Sequence, residues 1–330
     1  MSTTPLAGSE AGRPSRGAGL RLAATRVGRP LLLVLALGAM GVARSAPVPV
    51  FLLLLAAIVA ALYLVTRGSP FRWWAAYFAG FGLFAVLRTL ADETPIPWQY
   101  AYVVDLDRLG GSIEAPTVWL QDRLHDPARA GLADRLAYAV YLSYFAVPHF
   151  AAAVIWTRAR ARFPRYVLAM LATYFLGLAG SFLLPTAPPW LAAQQGHLPH
   201  VHRIVIDLTS GAGAEVSEAG YALAGSNVVA AMPSLHTAVT VTLAIFLTQA
   251  GRRIGILGWT YAAAMGFALV YLGEHYLVDL LAGGVLAASA FALLAFPHAP
   301  RGDDALPPSL LLGVVLVLAA AVAVVAAGLL

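Results

Sequence analysis

The chain contains no cysteine, and only 11% of its 330 residues are charged. The absence of cysteine excludes a disulfide framework and any zinc site built on thiolates. A soluble domain is typically about a quarter charged, whereas 60% of this chain is hydrophobic. Lysine is also absent, so all 21 basic residues are arginine. This composition predicts a protein that lies largely in lipid.

Long apolar segments are abundant, and a membrane-spanning helix needs about 20 mainly apolar residues. We therefore predict an all-α, polytopic helical membrane protein with spans near 30–43, 47–66, 73–90, 135–157, 165–185, 235–250, 254–273, 277–296 and 309–330. The polar segment 1–29 predicts a disordered cytoplasmic tail. Segment 30–43 is short, so a cleaved signal peptide is the alternative to a helical hairpin with 47–66.

The distribution of arginine predicts the orientation of these spans. Alternate loops, counted from the N-terminus, hold 14 of the 21 arginines and only three of the 16 acidic residues. Arginine-rich loops face the cytoplasm, so the N-terminus is predicted inside and the C-terminus outside. The plasma membrane of a bacterium is the simplest location. This placement of the positive charge also argues against a nucleic-acid partner.

Two outer loops are long, 91–134 and 186–233. Long loops on one side of a bundle are typical of a lid over a functional site. A solvated extracellular cap explains them equally well, so both interpretations stay open.

Two histidines are predicted to lie at the same outer face. His236 follows Pro233 and Ser234, which are typical helix-start residues, so it lies in the first turn of the sixth span. The free N–H groups there favour an anion. His275 lies in the short turn between the seventh and eighth spans. Topology alone thus places both side chains at one membrane depth.

His275 and Asp279 are spaced four residues apart, so they share one face of the eighth span. A carboxylate bonded to one imidazole nitrogen leaves the other as a lone-pair donor, which makes a better base or nucleophile. A carboxylate inside a spanning helix is also a functional candidate by default. The alternatives are two buried polar groups that satisfy each other, or solvated interfacial histidines. No HExxH motif occurs, and we predict no metal and no cofactor.

Together, Pro233-Ser234-x-His236 and His275-Tyr276-x-x-Asp279 resemble the type 2 phosphatidic acid phosphatase superfamily. The likeness is closer to its inositol phosphotransferase branch, which includes inositol phosphorylceramide synthases. Leu184–Trp190 resembles that branch too. The resemblance covers about 73–296 and implies a six-helix phosphatidic acid phosphatase-like core, with about three additional transmembrane helices at 30–66 and 309–330.

The resemblance implies a metal-independent double displacement. His275 would attack a phosphoryl group and form a phosphohistidine, Asp279 would orient His275, and His236 would protonate the leaving oxygen. Ser234 and Tyr276 would line the substrate site. The donor would be a membrane lipid phosphate, and the acceptor a small alcohol or water.

The chain departs from the phosphatase pattern at its cations. That pattern has an Arg where this chain has Leu269, a Gly where it has Leu235, and a Lys in its first motif. The phosphate charge must then be met by other groups. Candidates, in addition to His149 inside the fourth span, are Arg203, Arg88 and Arg135.

An inositol-phosphotransferase-like enzyme is therefore the leading hypothesis. A lipid phosphate phosphatase, acting for example on a polyprenyl phosphate, is the nearest alternative. A non-enzymatic transporter or scaffold is less favoured because no internal repeat is visible and the polar residues cluster at the interface. A degenerate, non-catalytic family member also stays open. The sequence does not indicate the oligomeric state.

Overall fold

The structure is a computed structural model that describes residues 69, 71–88, 96–209 and 229–295. In these ranges it is helical, with isolated β-bridges but no strand, so the all-α prediction is confirmed. A 3₁₀ turn at Arg160–Arg162 accompanies eleven α-helices. They are Arg72–Arg88 (α1), Ala101–Asp107 (α2), Pro116–Leu124 (α3), Leu132–Ser143 (α4), Val147–Arg158 (α5), Phe163–Leu183 (α6), Pro189–Gln194 (α7), Ile204–Thr209 (α8), Leu235–Thr248 (α9), Arg252–Tyr271 (α10) and Leu277–Ala295 (α11).

Three helices in the described ranges are long and apolar enough to cross a membrane. They are α6 with its preceding 3₁₀ turn, α10 and α11. The bent pair α4 and α5 makes a fourth if it counts as one span, whereas α9 is apolar but shorter. The spans predicted at 30–43, 47–66 and 309–330 lie outside the described residues.

The structure differs from the continuous helix expected over 135–157. This segment breaks into α4 and α5, which meet at 49°. Pro148 stands in the first turn of α5. Its ring removes an N–H and collides with the carbonyl of Tyr144, which ends the preceding helix. His149 therefore lies in the first turn of a new helix rather than inside a continuous span.

The two outer loops contain short helices, α2 and α3 in the first and α7 and α8 in the second. They are joined at Thr186, which forms parallel bridges with Gln99 and Ala230. The Gln99 amide donates to the Pro185 carbonyl at 2.8 Å, and the Ala231 amide donates to the Thr186 carbonyl at 3.0 Å. The outer loops are thus one connected layer.

Helix α11 has an inverted distribution of polarity. Leu281 and Val285 are 66% and 68% exposed, whereas Asp279 and Ala287 are completely buried. In water the large apolar side chains would be the buried ones. Exposed leucine with small and polar residues at the helix contacts is typical of a helix surrounded by lipid. Burial therefore supports the membrane assignment independently of composition.

Helix α9 packs against α6, α10 and α11, and its start is pressed closely against α11. A Cβ added at Gly283 would lie 2.5 Å from the Ser234 carbonyl oxygen, whereas one at Gly284 would meet nothing within 4 Å. The two neighbouring glycines thus have different roles. Gly283 permits the close approach, and Gly284 faces open space.

We predict that Gly283→Ala destabilises the protein by roughly 1–3 kcal/mol, because the backbone of Ser234 must move to admit the methyl group. Gly284→Ala is the matched control and should be neutral or stabilising by up to about 1 kcal/mol, since alanine has the higher helix propensity. Thermal unfolding in detergent measures both. Equal effects of the two substitutions would contradict the proposed close contact.

Asp107 connects α2 to the start of α11. Its Oδ1 accepts a hydrogen bond from the Val278 amide at 3.1 Å, and the side chain is buried. Burial, together with the nearby charge of Asp279, raises the pKa of Asp107 to about 6. Because the folded state binds this proton more tightly than the unfolded chain, the ionised form is a cost to stability. That cost grows as the pH rises from about 4 to about 6.

Asp107→Asn should therefore stabilise the protein above pH 6, by roughly 1–3 kcal/mol, because the amide keeps the acceptor for Val278 without a buried charge. The gain should disappear near pH 4, where the aspartate is already protonated. Thermal midpoints of both proteins at the two pH values provide the test. A gain that is the same at both would show that ionisation is not its cause.

Candidate active site

The turn that carries His275 is fixed by a left-handed helix cap at the end of α10. Gly273 has a φ of +81°, a conformation that costs glycine nothing. Its amide donates to the Val270 carbonyl at 3.2 Å, and the Glu274 amide donates to the Leu269 carbonyl at 3.1 Å. This is the Schellman pattern. The His275 amide also donates to Leu269, at 3.2 Å, so the backbone of the turn is held on both sides of Glu274.

His236, His275 and Asp279 form a contiguous chain of polar side chains. The His275 Nδ1 lies 3.3 Å from the Asp279 Oδ2, and its Nε2 lies 3.4 Å from the His236 Nδ1. His275 is 5% exposed and Asp279 is fully buried. Asp279 also accepts a hydrogen bond from the Tyr276 amide at 2.9 Å. A proton on His275 Nδ1 satisfies the carboxylate and leaves the Nε2 lone pair directed at His236.

His236 occupies the second position of α9, where the helix start places it. The Ser234 side chain caps the helix by accepting a hydrogen bond from the Thr237 amide at 3.3 Å. Ser234, predicted to contact substrate, is thus buried and already in use as a cap. Leu235, which replaces the usual glycine, packs onto α6 at Gly177, where a Cβ would lie 2.5 Å from a Leu235 methyl group. A leucine on α9 thus stands where the family pattern has glycine, and Gly177 on α6 leaves the space for its side chain.

Aromatic rings pack against His236. The Tyr144 and Tyr141 ring centroids lie 4.3 Å and 5.2 Å from that of His236. Sequence reasoning missed both tyrosines. The signal that could have found them is their spacing of three residues on a helix facing the site. They restrict the orientation of the His236 ring and limit its contact with water.

Arg88, in the last turn of α1, is close enough for its charge to act on both His236 and Tyr144. Among the three predicted arginines, it is the one whose charge the structure brings to the histidine pair. Arg135 is exposed on α4. Arg88 is therefore the candidate, among these three arginines, for the cation that the family pattern has at position 269.

Arg203 lies beside the catalytic turn, but its charge is matched. Its Nε donates to the Glu274 Oε1 at 2.9 Å, and its guanidinium stacks 4.2 Å from the centroid of Trp190. The Trp190 amide in turn donates to the Gly273 carbonyl at 3.2 Å. Arg203 therefore connects the turn, through Glu274, to the Trp190 side chain. The segment Leu184–Trp190 supplies the tryptophan on which it rests.

Leu269 has no polar role in this fold. Its side chain is fully buried in an apolar cluster with Tyr141, Met265 and Tyr271, while its carbonyl accepts two bonds from the turn. An arginine here would need the volume that this cluster fills. The substitution therefore converts a phosphate-binding position of the family pattern into part of the hydrophobic core.

Tyr276 and His149 complete the predicted set. Tyr276 is buried, and its hydroxyl has no hydrogen-bond partner within the described residues. Burial, followed by the charges of Asp279 and Asp107, raises the pKa of Tyr276, so the hydroxyl is a neutral donor. The His149 ring packs edge-on against Phe81 at 5.0 Å.

An apolar groove of about 480 Å³ is lined by residues of α3, α9, α10 and α11. Its lining runs from Thr237, next to His236, and Leu277, next to Tyr276, to the lipid-exposed residues Phe267 and Leu281. A volume of this size is typical of a small-molecule site. The groove could hold an apolar chain, and its lining reaches the residues that follow His236 and Tyr276 in the sequence.

Chemically, the arrangement suits transfer of a group with an electrophilic centre. One imidazole has a nitrogen lone pair directed at the second imidazole and its other nitrogen held by a carboxylate, which is the arrangement of an activated nucleophile. A second imidazole lies within reach of the same centre as an acid or base. The charge of Arg88 acts on His236, and a cation near the site would stabilise developing negative charge.

Comparison with known proteins indicates the same superfamily that the two histidine motifs resemble. Residues 103–293 match the PAP2 superfamily. The chain is 26% identical to the inositol phosphorylceramide synthase of Candida albicans over 191 residues, which are 53% of this chain and 39% of that protein. It is 28% identical to the phosphoinositol dihydroceramide synthase of Bacteroides thetaiotaomicron over 243 residues, 68% of this chain and 79% of that one.

The inositol phosphorylceramide synthase catalytic subunit of Saccharomyces cerevisiae is 33% identical over 86 residues, covering 26% of this chain and 21% of that protein. No solved structure is a significant match. The chain thus spans less than half the length of the two fungal relatives. The matched region includes most of α2, all of α3 to α10 and most of α11, with both histidines and Asp279, and the chain therefore belongs to the PAP2 superfamily.

Proposed function

We propose that this protein is a membrane phosphotransferase that moves an inositol phosphate group from a lipid donor to a hydroxyl acceptor. The observation that carries the proposal is the contact of His275 Nε2 with His236 Nδ1, with Asp279 on the other nitrogen of His275. The relatives named as synthases of inositol-containing sphingolipids support the chemical class. The apolar groove beside Thr237 supports a lipid substrate.

The reaction proceeds in two displacements. The His275 Nε2 lone pair attacks phosphorus, the bond from phosphorus to the donor oxygen breaks, and His236 supplies the proton that this oxygen takes up. The acceptor hydroxyl then transfers its proton to His236 as its oxygen attacks phosphorus. The phosphorus–nitrogen bond breaks, and its electron pair returns to His275. Arg88 stabilises the charge on the phosphoryl oxygens.

The cellular setting follows from the arginine distribution. The N-terminal tail and the loops counted as cytoplasmic together hold 14 of the 21 arginines, so the histidines would face the outside of the cell membrane. The donor headgroup would meet His236 and His275 at this face, while its acyl chains occupy the groove. Both partners would thus be lipids or small alcohols reached from the outer leaflet.

His275→Ala should abolish the covalent intermediate, because no other group replaces the Nε2 lone pair. Detergent-purified protein is incubated with ³²P-labelled phosphatidylinositol without acceptor, and an acid-labile, protein-bound label is counted. We expect turnover to fall by at least about 10³-fold. His236→Ala should still form some adduct from a donor with a good leaving group. His200→Ala, an exposed histidine paired with Asp122, is the control, and label retained in His275→Ala would refute the assignment.

Arg88→Gln should lower kcat about 10²- to 10³-fold, as expected for loss of one group that stabilises transition-state charge. Arg88→Lys should recover part of that loss because the charge is kept. Arg203→Gln should cost about 10-fold or less, since its charge is already paired with Glu274. Initial rates of transfer from labelled donor measure all three. A larger loss for Arg203→Gln than for Arg88→Gln would reverse the assignment of the phosphate-binding cation.

A further inference from the structure

A second cluster of chemically active side chains lies in the outer layer. His125 ends α3, His202 lies just before α8, and Asp207 is on α8. One donor atom from each can be chosen so that all three lie within 4.8 Å of one another. The two imidazole centroids are 5.2 Å apart. These residues come from both outer loops, so the cluster is assembled by the fold and not by local sequence.

The ring of His125 is the strongest sign of a ligand. Its side chain is only 4% exposed. The Nδ1 is satisfied by the Asp134 Oδ1 at 3.0 Å, but the buried Nε2 has no hydrogen-bond partner in the part of the chain that the structure describes. Leaving such a group without a partner costs roughly 1–3 kcal/mol. A metal ion at Nε2 would remove that cost.

Asp134 holds His125 in the orientation that metal-binding histidines need. Its side chain is fully buried and accepts hydrogen bonds from the Tyr271 hydroxyl at 2.5 Å and from the Gly131 amide at 2.6 Å. These bonds fix the carboxylate, and the carboxylate fixes the imidazole. A carboxylate on the far nitrogen of a histidine ligand is the usual outer-sphere partner of zinc sites.

His202 is held equally firmly through its backbone. Its amide donates to the Gln121 Oε1 at 2.8 Å, and its carbonyl accepts from the Gln121 Nε2 at 2.9 Å. The same Nε2 donates to the Tyr271 carbonyl at 2.8 Å. Because Gly273 has no side chain, the backbone at His202 can pass close to it. A Cβ at Gly273 would lie 2.8 Å from the His202 carbonyl oxygen. The two histidines are therefore positioned before any ion is bound.

We propose that His125, His202 and Asp207 bind a divalent zinc ion in the outer layer. Two imidazoles and one carboxylate, with a water as the fourth ligand, are a common zinc coordination set, and zinc prefers nitrogen donors more than magnesium or calcium does. The three donor atoms now lie within 4.8 Å of one another. Tetrahedral metal bonds of about 2.1 Å need a donor–donor distance of about 3.3 Å, so the donor atoms would have to move closer together. Rotation of the exposed Asp207 and of His202 supplies this movement. The proposal departs from the sequence-based expectation of no metal.

The ion would tie the two outer loops together. Arg203, next to His202, pairs with Glu274, and Glu274 precedes His275. A metal on His202 would thereby hold the second outer loop over the catalytic turn. Its role is structural, because the histidine chemistry proposed above uses no metal.

The test is metal binding by the full-length protein in detergent. Chelator-treated wild type should take up about one zinc ion per chain, measured by elemental analysis after desalting, and its thermal midpoint should rise on addition of zinc alone. His125→Ala and His202→Ala should lose the uptake. Asp207→Asn, an exposed and conservative change, should weaken it without loss of folding. His200→Ala is the matched control and should bind zinc as wild type does.

Asp134→Asn tests the outer-sphere carboxylate. It should weaken zinc affinity about 10- to 100-fold in competition with a chromophoric chelator. Three results would overturn the proposal: no uptake by wild type, equal uptake by wild type and His125→Ala, or a preference for magnesium or calcium over zinc. In the first case the cluster would be a set of polar side chains held by the hydrogen bond of His125 to Asp134. Since uptake is measured without substrate, its failure is separate from failure of the proposed phosphotransfer.

Discussion

The buried carboxylate of Asp279 is the group on which the rest of this site depends. Burying an ionised carboxylate is costly unless it is paired and hydrogen-bonded. Here its Oδ2 accepts from the Tyr276 amide and contacts His275 Nδ1, while its backbone carbonyl accepts from the Ser234 amide at 3.1 Å. One residue therefore joins α11, the turn after α10 and the start of α9. These three pieces carry Asp279, His275 and His236, respectively.

The departures from the phosphatase pattern make sense as linked changes in packing and charge. Leu235 takes the place of a glycine, and Gly177 on α6 provides the space that it needs. Leu269 takes the place of an arginine, and its side chain joins the apolar cluster below the turn. The charge of Arg88 then reaches His236 from another helix. Each loss has a counterpart far away in sequence, so inspection of the motif alone made the site seem less complete than it is.

Some of this organisation could be predicted from sequence, because it follows from short-range rules. The all-helical fold and the family were predictable from apolar length and from the two histidine motifs, and both are confirmed. The start of α9 next to Ser234 follows from helix-capping preferences. The roles of His236, His275 and Asp279 stay predictions, although the structure places their side chains in one chain of contacts.

The features that sequence reasoning did not find depend on contacts between distant segments. The break at Pro148 was missed because the apolar run continues through it, and hydropathy alone does not report a bend. Sequence reasoning could not separate Arg203 from the other candidate cations, because its partners lie far away in the sequence. Only the fold shows that Glu274 pairs with the charge of Arg203 and that Trp190 stacks on its guanidinium plane. The His125, His202 and Asp207 cluster spans more than 80 positions and has no ligand spacing to detect.

Tyr271 shows how the outer cluster and the catalytic turn are mechanically related. It is the last residue of α10, its hydroxyl donates to Asp134, and its carbonyl accepts from Gln121. The bond to Asp134 fixes the carboxylate that orients His125. The bond from Gln121 fixes the side chain that also hydrogen-bonds the backbone of His202. Four residues further on stands His275. A displacement of either outer loop must therefore disturb the end of α10, and with it the cap that positions His275. The polar network around Tyr271 thus couples the position of the outer layer to the position of His275.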